Sequence, residues 1–342
     1  MDPLLGPYDA LRRIAYLLER SRAGTYRVKA FRGAAATVLA TDATELRSRA
    51  AAGTLTDLSG IGPATEGVIR QALEGEIPAY LMSLENRAAE PLVAGGLEVR
   101  AAIRGDLHSH SDWSDGGSSI QEMVVTALEL GHDYLALTDH SPRLQIANGL
   151  SSERLSKQLR VVDTINSALG EFRLLKGIEV DILDDGSLDQ SVEMLSRLDL
   201  RVASVHSKLA MSAAPMTRRM IAAVQNPHTN VLGHCTGRLV EGSRGTRDQS
   251  SFDAAAVFEA CAHHEVAVEI NARPERCDPP DELVALARDA GCLFTIDSDA
   301  HAPGQLDFQI YGCARAERIG VPLTRIVNTW EIERLLAWAN PG

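Results

Sequence analysis

The chain has 342 residues, 45% hydrophobic and 23% charged, a composition typical of a globular protein with a substantial core. Its formal net charge of −12 argues against a general nucleic-acid-binding surface. No apolar run reaches the roughly 20 residues that a membrane-spanning helix needs. The five cysteines form no CxxC pair, which argues against a disulfide framework or a thiolate zinc cluster. We therefore expect a cytoplasmic protein with no membrane partner.

Residues 1–90 are predicted to form a small all-α domain. Apolar residues spaced by three and four positions predict a helix over 8–22, and a second helix is predicted over 26–40. Asp42, followed three residues later by Glu45, resembles a capping box and predicts the start of a third helix. Basic and acidic residues balance in this part of the chain, so the acidic excess belongs to the remainder.

A helix-hairpin-helix is predicted at residues 58–64. Gly60 and Gly62 form a Gly-x-Gly turn, and Pro63 suits the first position of the following helix. Free backbone N–H groups at a helix start can hold a DNA phosphate without reading sequence, although the same pattern also occurs as a plain turn. The preceding helices carry basic residues that form either a phosphate-contacting surface or a solvated helix face: Arg12, Arg13, Arg20, Arg22, Arg27, Lys29 and Arg32.

Residues 91–103 are predicted to be a linker, and residues 104–342 a second domain. In the second domain, short apolar runs alternate with helical patterns, which indicates parallel βαβ units. Strands are predicted at 103–108, 134–138, 173–179, 201–206, 230–233, 266–270 and 293–297. Helices are predicted between them at 119–130, 152–169, 216–225, 252–263 and 281–290. We expect an α/β fold in which seven strands close into a TIM-like (β/α)7 barrel, one strand fewer than the eight-stranded form.

Histidines and carboxylates stand at the carboxyl ends of these strands, where barrels of this type carry their active sites. On the first strand, Asp106, His108 and His110 alternate and therefore project to one side. The candidate metal ligands are His108, His110, Asp115, His140, Glu179, His206, His234, Asp299 and His301. Imidazole and carboxylate suit zinc, manganese or iron, and a carboxylate can bridge two cations. The sequence therefore predicts a multi-metal site. The remaining histidines are predicted to be surface residues: His132, His228, His263 and His264.

Six short motifs contain most of these ligands. They are Asp106-Leu107-His108-Ser109-His110, Thr138-Asp139-His140-Ser141, Gly177-Ile178-Glu179, Ser204-Val205-His206-Ser207, Leu232-Gly233-His234 and Asp297-Ser298-Asp299-Ala300-His301. Together they resemble the PHP (polymerase and histidinol phosphatase) superfamily, most closely the PHP domain of bacterial family-X DNA polymerases. Segments 26–32 and 58–62 also resemble the small N-terminal domain of those polymerases, which binds gapped DNA ends. Only residues 91–103 stand where their polymerase palm would lie, so we expect no polymerase activity.

The resemblance implies three divalent ions, which would be zinc, manganese or iron. It assigns His108, His110, Glu179 and Asp299 to the first ion, Glu179, His206 and His234 to the second, and Asp115, His140 and His301 to the third. A metal-bridging hydroxide would then attack a phosphoester. Asp106, Asp139 and Asp297 are candidates for orienting the imidazoles.

A catalytic role is assigned to three of the ligands, Glu179, His206 and Asp299. Lys208 and Arg273 lie just past strand ends and are the preferred candidates for binding phosphate oxygens. No side chain stands out as a general acid.

We therefore expect a trinuclear metal-dependent phosphoesterase that acts on DNA 3′ ends in DNA repair, as a 3′–5′ exonuclease or a 3′-phosphatase. The helical domain would hold the DNA. The alternative is a small-molecule phosphomonoesterase such as a histidinol phosphatase, which the acidic charge balance favours. A binding protein with a purely structural barrel is a third interpretation, and the complete ligand set argues against it.

Overall fold

The computed structural model of the protein describes residues 5–242 and 245–340. The chain divides into two compact units, Met1–Pro91 and Leu92–Gly342. Within the residues described, we find no helix with the length and apolar character needed to cross a membrane.

The first unit is helical. Its helices are α1 (Pro7–Arg20), α2 (Thr25–Ala40), α3 (Ala43–Ala52), α4 (Pro63–Leu73) and α5 (Ala79–Ala88). Helix α1 packs against α2, α4 and α5, and the core contains Leu11, Ile14, Leu18, Phe31, Ile69 and Leu81. The apolar spacing of α1 thus forms the centre of this unit, because residues three and four positions apart share one helix face.

Asp42 caps α3 as its sequence position predicts. Its Oδ1 accepts hydrogen bonds from the backbone N–H groups of Thr44 (2.8 Å) and Glu45 (3.3 Å). The Glu45 carboxylate instead accepts from Arg49 Nε at 2.8 Å, one helical turn further on. Only the Asp42 half of the capping box is therefore present.

The predicted hairpin turn joins a single 3-10 turn, Leu55–Asp57, to α4. Gly60 has a φ of 84°, and a Cβ at this position would lie 3.1 Å from Thr37 Oγ1 on α2. The Gly62 N–H donates to Thr65 Oγ1 at 2.9 Å, which satisfies one donor at the start of α4. Glycine at position 60 thus allows both the left-handed backbone and the close approach to α2.

The second unit is a parallel barrel, as predicted. Its strands are β1 (Gly105–Ser109), β2 (Tyr134–Leu137), β3 (Arg173–Asp181), β4 (Leu200–Ser204), β5 (Val231–Leu232), β6 (Ala267–Asn271) and β7 (Phe294–Asp297). They pair in chain order, each parallel to the next. The predicted (β/α)7 architecture is confirmed, although β3 continues two residues further than expected and β5 has only two residues.

Helices surround this sheet. They are α6 (Leu97–Ala102), α7 (Ile120–Glu129), α8 (Ser152–Ala168), α9 (Val192–Leu195), α10 (Ala213–Val224), α11 (Ala254–His263), α12 (Asp281–Asp289), α13 (Gln309–Ile319) and α14 (Ile332–Ala339). Helix α6 lies inside the segment expected to be a linker and packs on α13. A Cβ at Gly96 would lie 2.5 Å from Ala314 N, so this approach requires glycine. Six residues are too few for an apolar period to reveal such a helix.

Two carboxylates close the barrel between β1 and β7. The Leu107 N–H donates to Asp297 Oδ1 at 3.0 Å, and the Ser298 N–H donates to Asp106 Oδ2 at 3.2 Å. Burial and the neighbouring Asp297 raise the pKa of the Asp106 carboxyl. The structure bonds these two aspartates to backbone donors across the seam and not to the imidazoles that we predicted they would orient. Asp297 Oδ2 has no hydrogen-bond partner among the described residues.

His132, expected at the surface, is buried beside α6. Its Nε2 lies 3.2 Å from Arg100 Nη2, and only 4% of the residue is exposed. Burial and the Arg100 charge lower the pKa of His132 to about 3. The folded protein therefore holds this imidazole neutral over most of the acidic range.

We predict that His132 makes the second unit less stable in acid. Below the unfolded-state pKa of about 6.5, the unfolded chain binds a proton that the folded chain does not, so stability falls as the pH drops toward about 3. Between pH 7 and 4.5, wild type should lose about 2–3 kcal/mol more unfolding free energy than His132→Gln. Urea titrations at both pH values measure this difference, and equal losses would contradict the prediction.

Candidate metal centre

The Glu179 carboxylate, on β3, lies at the centre of the predicted site. Only 1% of this residue is exposed. Five imidazole nitrogens approach it: His234 Nε2 at 2.7 Å, His140 Nδ1 at 2.8 Å, His206 Nε2 at 3.2 Å, His108 Nε2 at 3.3 Å and His110 Nε2 at 3.6 Å. These histidines come from the ends of β1, β2, β4 and β5, so the carboxyl rim of the barrel gathers residues that are far apart in sequence.

Two further carboxylates and His301 complete the group of nine predicted ligands. Asp299 Oδ1 lies 3.3 Å from His110 Nε2. Asp115 Oδ1 lies 3.4 Å from His140 Nε2 and 3.3 Å from His301 Nε2. All nine predicted ligands are therefore in one contiguous cluster.

The ligand atoms form three groups, in each of which they lie within 4.8 Å of one another. The groups are His108, His110 and Asp299; His140, Glu179 and His206; and His110, Asp115, His140 and His301. They differ from the sets that the resemblance implied, since His110 and His140 each belong to two groups. His234 joins the cluster through its contact with Glu179.

The donor atoms fit divalent metal ions. Within the described part of the chain, several buried polar atoms of the cluster have no hydrogen-bond partner: His108 Nε2, both ring nitrogens of His110, His206 Nε2, His234 Nδ1 and Glu179 Oε2. Buried polar atoms without partners are costly, and imidazole with carboxylate is the donor set that zinc and similar dications prefer. The clusters therefore indicate divalent metals.

The electrostatics of the cluster favour positive charge around Glu179. Burial would raise the pKa of Glu179, but the imidazoles of His206, His140 and His108 hold it well below its usual value. Burial would lower the pKa of His140, but the Glu179 and Asp115 carboxylates raise it to about 10. Protons on the imidazoles and bound dications therefore compete for the same stabilising carboxylates.

Two carboxylates that sequence reasoning missed orient the imidazoles. Glu269 Oε1 lies 2.5 Å from His108 Nδ1, and Asp181 Oδ1 lies 2.6 Å from His206 Nδ1. Both had a signal in the sequence. Glu269 is a charged residue within the apolar run of β6. Asp181 follows Glu179 by two residues on β3, so the two-residue period of a strand places Glu179 and Asp181 on the same face. Such partners fix the ring orientation of metal-ligating histidines.

Asp139, which we predicted for this orienting role, holds a loop instead. Its carboxylate accepts hydrogen bonds from Ser111 Oγ (2.6 Å), Ser114 Oγ (2.5 Å) and Gln158 Nε2 (2.6 Å). The prediction was wrong because hydroxyl and amide donors near this carboxylate use both of its oxygens.

The predicted phosphate-binding cations have different surroundings. Arg273 lines the cavity over the cluster, and its Nη1 lies 2.9 Å from His301 Nδ1. Lys208, which has a left-handed φ of 53°, pairs with Asp184 and is not among the residues that line the cavity. Arg276, which sequence reasoning missed, lines the cavity and donates from Nε to Asp299 Oδ2 at 3.1 Å. Lys208 pairs with Asp184, and neither residue lines the cavity. The geometry therefore favours Arg276 rather than Lys208 as a cation that lies beside Arg273 in the cavity.

The family model described as "PHP domain" matches residues 106–273, which contain seven of the nine clustered ligands. The chain is 30% identical over 235 residues to the "Probable phosphatase YcdX" of Escherichia coli strain K12, a match that covers 65% of this chain and 89% of that protein. The chain belongs to the PHP domain family. The predicted family and enzyme class, a metal-dependent phosphoester hydrolase, are thereby confirmed at the level of the family.

Two other matches cover different shares of this PHP chain and of the proteins matched. It is 36% identical over 236 residues to the "DNA polymerase/3'-5' exonuclease PolX" of Bacillus subtilis strain 168, which covers 69% of this chain. The match spans only 41% of that relative's length. A crystal structure of histidinol phosphate phosphatase from Lactococcus lactis aligns with a TM-score of 0.45 and 16% identity, over 64% of this chain and 95% of that one.

We predict that Glu269→Gln weakens metal binding by the PHP barrel. The substitution keeps the side-chain shape but removes the charge beside His108 Nδ1, so metal affinity should fall about 10- to 100-fold. Competition against a chromogenic chelator measures this affinity. Glu193→Gln, an exposed glutamate on α9, is the matched control and should bind metal as wild type does. Equal affinities for the two variants would show that Glu269 does not support the cluster.

Proposed function

We propose that this PHP protein is a metal-dependent phosphoesterase that acts on DNA 3′ ends, as a 3′–5′ exonuclease or a 3′-phosphatase. The proposal rests on one observation: the ligand cluster around Glu179 is joined in one chain to a helical unit that carries the turn of residues 60–62 at the start of α4. The name of the Bacillus subtilis relative, which includes a 3′–5′ exonuclease, supports this assignment.

Three divalent ions are proposed, one for each of the three ligand groups. When bound, they supply a nucleophile at neutral pH and offset negative charge that develops on the phosphate. Glu179 and His206 from one ligand group and Asp299 from another are the ligands to which we assign a catalytic role. Glu269 and Asp181 keep the His108 and His206 rings in position.

Arg273 and Arg276 are proposed to bind the phosphate oxygens. Both line the cavity, and guanidinium groups match the geometry of phosphate oxygens. Among the described residues Arg276 bonds to Asp299 through Nε, which leaves its terminal amino groups for a ligand. Asp299 thus orients Arg276 while it contributes to a metal group.

The helical unit is proposed to hold the DNA backbone. Arg13 contacts Glu85 at 3.2 Å, and Arg32 pairs with Glu19 at 2.8 Å, so these two arginines of the predicted basic surface support the fold. Arg27 and Lys29 on α2 are exposed. They lie on the helix that supports the hairpin turn, which suits contact with adjacent phosphates.

A small-molecule phosphomonoesterase remains the second candidate. The match to the Escherichia coli "Probable phosphatase" covers most of that protein's length, and the acidic charge of this chain favours a substrate other than DNA.

Metal-loaded full-length protein should remove nucleotides or phosphate from the 3′ ends of oligonucleotides. A chelator should abolish the reaction and added zinc or manganese should restore it, because the cluster supplies no nucleophile of its own. Gel analysis of end-labelled oligonucleotides gives the rate, with histidinol phosphate tested in parallel. A kcat/KM at least about 10-fold higher for histidinol phosphate than for any 3′-ended DNA would favour the second candidate.

We predict that the double variant Arg27→Glu, Lys29→Glu binds DNA more weakly and with less salt dependence. Each lost phosphate contact should reduce the slope of log K against log salt by about 0.7–0.9, so two contacts reduce it by about 1.5. Fluorescence anisotropy at several salt concentrations measures the slope. The double variant Lys157→Glu, Arg160→Glu changes two exposed basic residues on α8 and is the control with an equivalent charge change. An unchanged slope in the double variant would remove α2 from the DNA-binding surface.

A further inference from the structure

The cavity over the metal centre has walls of two kinds. It has a volume of about 330 Å³. Its lining includes three arginines, Arg247, Arg273 and Arg276, together with five residues of the ligand cluster. It also includes five apolar residues, Leu144, Ile146, Ala147, Val205 and Leu209, which we call the apolar wall. A compact, fully polar phosphoester would leave this wall in water.

Ile146 is the most exposed member of the apolar wall, with 96% of its surface accessible. Single exposed apolar residues are ordinary on protein surfaces. This one differs because it borders a cavity together with four other apolar residues, three arginines and part of the ligand cluster. Convergent polar groups beside an apolar surface are the usual composition of a ligand pocket.

The loop that carries Ile146 is fixed to the metal centre. It follows His140, and the Leu150 N–H donates to His140 O at 2.7 Å, which closes the loop on a metal ligand. The Gly149 N–H donates to Leu144 O at 3.2 Å, and a Cβ at position 149 would lie 1.9 Å from Ser141 O. Glycine is therefore required for this tight closure.

The outer edge of the same loop is also held. Arg154 Nη1 donates to Asn148 O at 2.7 Å, and Asn148 Nδ2 donates to Trp113 O at 3.1 Å. Bonds on both sides of the 3-10 turn Gln145–Ala147 keep Ile146 at a set distance from His140. A preorganised loop backbone of this kind contributes to binding because little backbone freedom is lost when the ligand arrives.

We propose that the apolar wall binds the base of the nucleotide whose phosphate is hydrolysed, with Ile146 against the face of the ring. This inference deepens the proposed function and rests on it. The cavity is at the small end of ligand pockets, which suits one nucleotide rather than a duplex. Apolar contact with a ring face is independent of base identity, so the wall selects nucleotides over other phosphoesters without selecting a sequence.

The test compares two ligands that differ only in the base: thymidine 3′-phosphate and the same sugar phosphate without its base. Their inhibition constants are measured against hydrolysis of p-nitrophenyl phosphate by the metal-loaded protein. Apolar contact with one ring face should make the nucleotide bind about 5- to 20-fold more tightly in wild type. Equilibrium dialysis of both ligands measures the same ratio without a reporter reaction.

In Ile146→Ser, the ratio of the two inhibition constants should fall below about 3-fold, and Ile146→Leu should restore most of it. Val192→Ser removes an exposed apolar side chain on α9, outside the cavity, and should keep the wild-type ratio. A ratio near one in wild type, or a ratio that Ile146→Ser does not change, would overturn the inference. Loss of the proposed function has a different signature, since the protein would then fail to process 3′-ended oligonucleotides whatever the ratio.

Discussion

Burial of the Glu179 carboxylate among five imidazoles is the constraint on which the rest of the second unit depends. An ionised carboxylate with 1% exposure is unstable unless positive charge or strong donors surround it. Its compensating groups come from the ends of four other strands, so they meet only when the sheet curves into a barrel. The cluster therefore requires the closed fold, and dications replace protons as the compensating charge when they bind.

Closure of the barrel uses side chains as well as strand pairing. Asp106 and Asp297 accept backbone N–H groups across the β1–β7 seam, and Asn328 donates from Nδ2 to Gly105 O and to Asp297 Oδ1. Asn328, near the end of the described chain, thus fixes the seam between β1, which carries His108, and β7, which Asp299 follows. Disturbing these buried hydrogen bonds would move candidate ligands on both sides of the seam, because the side chains of Asp106, Asp297 and Asn328 bond to β1 or to the end of β7.

The site combines three kinds of support. Glu269 and Asp181 orient imidazoles, Arg273 and Arg276 bring positive charge to the cavity, and the loop after His140 presents Ile146 at its edge. In the proposed function, the first kind would support the metal ligands, the second would bind the phosphate and the third would contact the base. The same loop connects His140 to Ile146 of the apolar wall, so it would couple the position of a bound base to that of the ligand cluster.

The sequence by itself determined the seven-stranded barrel and the nine clustered ligands. Strand side chains alternate with period two, and parallel strands end at one rim, so histidines that follow apolar runs must converge. The sequence could not determine the helix α6, which is too short for a period, or the pairing of Glu269 with His108 across 161 positions. Only the tertiary structure decided that Asp106 and Asp297 close the seam and that Arg276 rather than Lys208 lines the cavity. Local periodicity shows which face a residue occupies, whereas its partner depends on how distant strand ends and loops meet in space.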